Sequence, residues 1–143
     1  MAINKIISEK FVRRSIIKYL ERKGWARNLR EKETFEAGVD IRVRHNKYSR
    51  YFLIETKGES SSKSARQVSE VAFVYSLGQI ITRMKAGRSR YYYGLGLPTS
   101  SANIAIRRIP WQIAKKLLLY VFSVDKNGKV KLYSWKELQN IQK

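Results

Sequence analysis

The sequence predicts an α/β domain in which helices pack on a mixed β-sheet. Three patterns lead there. Val12, Ile16, Tyr19 and Leu20 recur at helical spacing. Val39, Ile41 and Val43 alternate with Asp40, Arg42 and Arg44. "YFLIETK", residues 51–57, is a near-continuous apolar run of the kind a strand needs when both of its faces are covered. At 143 residues and 43% apolar content, the chain is sized for one domain, residues 1–143, with its own core.

The elements follow in order. Ser8 caps a helix that runs to about Lys23 and stops at Gly24. Glu9 falls on its apolar face, whereas Arg13, Arg14, Lys18, Arg22 and Lys23 mostly lie elsewhere. Residues 27–36 are polar and irregular, a loop or a short extended segment. Two strands, 39–44 and 51–57, flank a turn at "HNKYSR", in which His45 reads as a surface residue. Gly58 ends the second strand, and "GESSSKS" is a loop. A long helix spans about 65–86, with Gly87 as its stop. "YYYGLGLP" is a strand halted by proline, and residues 103–117 form helical turns interrupted near Pro110. Residues 117–124 and 129–135 form a hairpin around "DKNGK", followed by a short helix. The apolar residues of 117–135 serve either the core or a subunit interface.

Charge narrows the function. Thirty Lys and Arg against eleven Asp and Glu leave a formal +19, which repels itself unless the partner is a polyanion. Nucleic acid is the first candidate, because basic side chains that neutralise phosphates release counterions. No Asp or Glu occurs between Val71 and Val124. Within that stretch "RMKAGRSR" offers Arg83, Lys85, Arg88 and Arg90 as phosphate contacts, at a helix end whose dipole also favours cations. The absence of cysteine excludes disulfides and thiolate metal sites, and a single histidine argues against zinc fingers. The N-terminus lacks a signal-peptide pattern, and the longest apolar run, "LLLYVF", is too short to cross a bilayer. A cytoplasmic protein without a membrane partner is expected.

The hairpin raises a chemical question. If Arg44 lies opposite Tyr51, then Asp40 lies opposite Glu55 and shares its face, as does Lys57. A one-residue slip would move Asp40 to the other face. Two adjacent carboxylates on an apolar sheet repel each other, and a divalent cation relieves that repulsion. Hard oxygen ligands with waters completing the shell suit Mg²⁺, with Mn²⁺ as a substitute. Lys57 beside the ion would activate a water, and ion and lysine together would stabilise charge on a phosphate under attack.

"GVD" followed by "IETK", with Asp40 and Glu55 fifteen residues apart, resembles the PD-(D/E)xK nuclease superfamily. That group includes restriction endonucleases, archaeal Holliday-junction resolvases and repair endonucleases. The resemblance covers roughly residues 8–98, and Val39 stands where the motif's proline would be. It implies a restriction-endonuclease-like sheet flanked by helices. Asp40, Glu55 and the Thr56 carbonyl would hold the metal, with Lys57 as the catalytic lysine. Glu9 either completes the site or favours the positive end of its helix. Gln79, in "LGQIITR", matches the polar residue that some members carry on the next helix and joins the nucleic-acid contacts. The activity implied is that of a Mg²⁺-dependent DNA endonuclease, a phosphodiester hydrolase of junction-resolving, restriction or repair type. It would act as a homodimer and need no nucleotide cofactor. The rival reading is a non-catalytic, nucleic-acid-binding architectural protein that retains the fold. A third is a basic protein that docks on acidic partners or anionic membranes.

Overall fold

Ser8 starts the first helix, α1 (Glu9–Arg22), by accepting a hydrogen bond from the Phe11 amide at its hydroxyl. Gly24, at φ +92°, turns the chain away from it. The computed structural model describes residues 6–25, 40–59, 65–85 and 90–143. Val39, the 27–36 segment, most of "GESSSKS", Gly87 and Arg88 lie outside the described residues.

The hairpin forms as the alternation predicts. Strand β1 (Ile41–Arg44) pairs antiparallel with β2 (Tyr51–Thr56), with Arg44 opposite Tyr51 and Ile41 opposite Ile54. Helix α2 (Ala65–Thr82) carries the chain to β3 (Tyr91–Pro98), which runs parallel to β2. Pro98 ends that strand and sits at the N-cap of α3 (Thr99–Arg108). Pro110 then separates α3 from α4 (Trp111–Leu117). Strand β4 (Leu119–Val124) adds parallel to β3, and β5 (Val130–Tyr133) pairs antiparallel with β4. The chain closes with α5 (Trp135–Ile141), whose Ser134 and Glu137 form a capping box. The result is a five-stranded mixed sheet in the order β1-β2-β3-β4-β5, flanked by helices.

Two cores lie on the two sheet faces. On one, Val12, Ile16 and Leu20 of α1 meet Ile41, Val43, Phe52, Ile54 and Phe122. On the other, α2 to α5 cover Leu53, Leu95, Leu97 and Val121. Each fully buried aliphatic side chain is worth about 1.5–3 kcal/mol over exposure, so α1 is held mainly by three residues of one stripe. The apolar residues of 117–135 are consumed here: Leu119, Val121, Phe122 and Val124 are buried core, not a subunit interface. Exposed apolar side chains gather instead on α2, at Val71, Val74, Tyr75 and Ile81. No helix among the described residues is long and apolar enough to cross a membrane.

The start of α1 is seated against the end of β2. The Glu59 amide donates to the Ile7 carbonyl at 2.6 Å, and the Ile7 amide donates to Glu59 Oε1 at 2.9 Å. Gly58 permits this approach, since a Cβ there would lie 2.3 Å from the Glu9 nitrogen and 2.6 Å from the Ser8 carbonyl carbon. Backbone cannot swing aside as a side-chain tip can. Gly58→Ala is therefore expected to cost about 1–3 kcal/mol or more. Gly78→Ala, on α2 with nothing within 4 Å of its Cβ position, should stabilise by about 0.5–1 kcal/mol. Urea unfolding of the two variants checks the opposite signs, and a Gly58→Ala protein as stable as wild type would refute the packing argument.

Candidate functional site

Continuing the hairpin register by one residue sets Asp40 opposite Glu55, as the spacing predicts. Asp40 Oδ2 accepts from the Thr56 amide at 2.8 Å and from the Thr56 hydroxyl at 3.2 Å. The aspartate thus ties the start of β1 to the end of β2. Glu55 is only 3% exposed, because β2 is covered on both sides. Burial pushes its carboxyl up to about 8, helped by the charge of Asp40 and a hydrogen bond with it. Arg83 and Lys57 pull the other way without prevailing. Arg83 Nε lies 3.8 Å from Glu55 Oε1, an oxygen that has no hydrogen-bond partner.

Glu9 reaches this cluster from the start of α1. Its carboxyl is also raised, first by burial and then by Asp40, against the influence of Lys57, Arg13 and the Thr56 side chain. Glu9, Asp40, Glu55 and Lys57 thus share one electrostatic neighbourhood, assembled from α1, β1 and the end of β2. Arg13 is its unexpected member. Helical spacing puts it off the apolar face, yet it is 9% exposed and acts on Glu9. The available signal was its position four residues after Glu9.

This geometry corrects the expected chemistry. Among the described residues, no group of three or more Asp, Glu, His or Cys side chains could hold a metal ion. The expectations of a Mg²⁺ or Mn²⁺ site at Asp40, Glu55 and Thr56, and of a metal-dependent deoxyribonuclease built on it, are overturned by that arrangement. The physical reason lies in how each group is used. Asp40 spends one oxygen on Thr56, and the Thr56 amide and hydroxyl are engaged in return. Burial and the neighbouring Asp40 disfavour the charged form of Glu55, whose carboxyl is pushed up to about 8.

The nucleic-acid candidates divide. Gln79 is half-buried, with its amide oxygen sealed from solvent. Arg83 is engaged with Glu55. Lys85 is exposed, its backbone amide donating to Tyr93 Oη at 2.7 Å. Arg90 is exposed beside the β1–β2 turn, with Nη1 3.5 Å from Ser49 Oγ. Arg88 lies outside the described residues. His45 is half-buried rather than a surface residue, because Trp25 packs edge-on against it with ring centres 4.9 Å apart.

No protein-family model matches the chain, and neither does any curated protein or solved structure. The likeness to nucleases therefore rests on the motif and on the order of elements.

The raised Glu55 carboxyl ties stability to pH. Between its ordinary 4.5 and about 8, the folded protein holds a proton that the unfolded chain releases. Its stabilising contribution is full below 4.5 and is lost as pH rises through 8, at up to about 1.4 kcal/mol per pH unit. Glu55→Gln, neutral throughout, should flatten the profile and be the more stable protein above pH 8. Glu9 leaves a smaller slope of the same sign. Urea midpoints measured from pH 4 to 9 check this, and parallel profiles for the two proteins would sink the assignment.

Proposed function

We propose that the chain is a non-catalytic, nucleic-acid-binding architectural protein, with DNA as its partner, that keeps a restriction-endonuclease-like fold. One observation carries the reading: of the formal +19 charge, eight cations lie in a stretch where no acid offsets them. Between Val71 and Val124, Lys85, Arg90, Arg107, Lys115 and Lys116 are exposed. Arg83 and Arg108 are tied to Glu55 and Glu70. Exposed cations of this density gain by neutralising phosphates. Support for the fold likeness comes from the helix–hairpin–helix–strand order and from Asp40 beside Glu55. The carboxyls serve this reading as structure: Asp40 pins Thr56, and protonated Glu55 adds little negative charge to repel a polyanion.

Fluorescence anisotropy with linear and four-way-junction DNA tests it. The logarithm of affinity should fall linearly with that of salt concentration, with a slope of about −4 to −5 for roughly four to six phosphates. Lys85→Gln with Arg90→Gln should reduce the slope by about 2. Chelator should leave affinity unchanged at matched ionic strength, and DNA incubated with Mg²⁺ should be recovered intact. Metal-dependent cleavage abolished by Glu55→Ala would overturn the non-catalytic reading, and the absence of DNA binding at low salt would overturn the whole of it.

A homodimer completes the proposal. The exposed residues Val71, Val74, Tyr75 and Ile81 lie on α2 at helical spacing. In so basic a chain this stripe holds no cation to repel its mate. Light scattering should report a dimer that Val74→Glu converts to monomer. A monomeric wild-type protein would refute the pairing.

A further inference from the structure

Resting on that nucleic-acid reading, we propose that the β1–β2 turn, residues 45–50, is a stacking platform for the unpaired bases of a single strand, with the Tyr48 ring as its face. Tyr48 is 59% exposed. It is nevertheless not a loose side chain. Its ring lies against that of His45, with centres 4.9 Å apart and planes at 34°. His45 meets the Trp25 ring at 4.9 Å, and Trp25 meets Phe52 at 5.4 Å. Phe52 is buried in the core. A ladder of four rings therefore runs from the core to a ring held out in water.

The turn beneath that ring is fixed by its own hydrogen bonds. His45 Nδ1 accepts from the amides of Lys47 at 3.1 Å and Tyr48 at 3.3 Å, which places the neutral imidazole's proton on Nε2. The His45 amide donates to the Arg50 carbonyl at 2.8 Å, and the Arg50 amide to the Tyr48 carbonyl at 2.8 Å. The Asn46 amide donates to the Gly24 carbonyl at 2.9 Å, joining the turn to the end of α1. Little ordering entropy remains to be lost when a ligand arrives.

The charges around it select the ligand. Lys47 and Arg50 are exposed on the turn itself, and Arg90 reaches its Ser49. No acid occurs between Ile41 and Ile54. An aromatic face flanked by cations suits a base with phosphates on either side, and it reads no base edge. In a duplex the base faces are already stacked on one another, so a single ring has nothing to cover. The class recognised is therefore single-stranded nucleic acid, bound with little sequence preference.

Labelled oligothymidine and a labelled duplex, titrated in parallel by anisotropy, test the platform. Tyr48→Ala should weaken oligothymidine binding by about 5- to 100-fold and leave duplex binding within about twofold, which also shows that the variant is folded. Its salt slope on the single strand should match that of wild type, because no charge is removed. Tyr48→Trp should bind oligothymidine at least as tightly as wild type. A Tyr48→Ala protein with unchanged single-strand affinity, or with both affinities reduced alike, overturns the platform while leaving the DNA-binding reading intact. Wild-type protein that binds neither oligonucleotide overturns both.

Discussion

The burial of β2 on both faces governs what the acidic residues can do. Phe52 and Ile54 face α1, whereas Leu53 faces the layer containing α2. A strand enclosed in this way leaves its terminal side chains little water, so a carboxyl at its end must find a partner or keep its proton. Glu55 does largely the second, and Arg83 stands beside one of its oxygens. Asp40 does the first by binding Thr56. The Glu55–Arg83 contact joins β2 to the end of α2, and the Asp40–Thr56 bonds tie β1 to β2.

The hairpin consequently has two chemically distinct ends. Acids collect at the start of β1 and the end of β2, and cations and aromatic rings collect at the turn. Six strand residues rise about 20 Å, roughly twice the screening length at physiological salt. Phosphates held at the turn would feel little of the carboxylates at the other end, even were all of them ionised. The fold thus keeps its acids, with the cations Lys57 and Arg83 beside them, a strand's length from the turn.

Much of this was legible in the amino-acid order because it is local. The Ser8 cap, the alternation at Ile41 and Val43, and the break at Pro110 each act within a few residues, and each appears where expected. The start of α3 at Thr99 was not legible. Its buried residues include Ser101, Ala102 and Ala105, too small to print an apolar stripe. In the acid cluster, spacing placed Asp40 beside Glu55 but said nothing of protonation. That depends on burial by helices arriving from elsewhere in the chain. Arg83 read as a phosphate contact because its partner lies twenty-eight positions upstream. His45 read as exposed because Trp25, its cover, comes from beyond α1. Long-range packing, not local preference, decided each of these.

The two outermost strands have a consequence for the life of the molecule in solution. β1 and β5 are each four residues long, and they carry exposed Arg42 and Arg44 on one and Lys131 on the other. A sheet that ends in short, cationic strands offers a poor template for another sheet to extend. The side chains that make this protein attractive to polyanions therefore also guard it against growing, strand by strand, into fibres of itself.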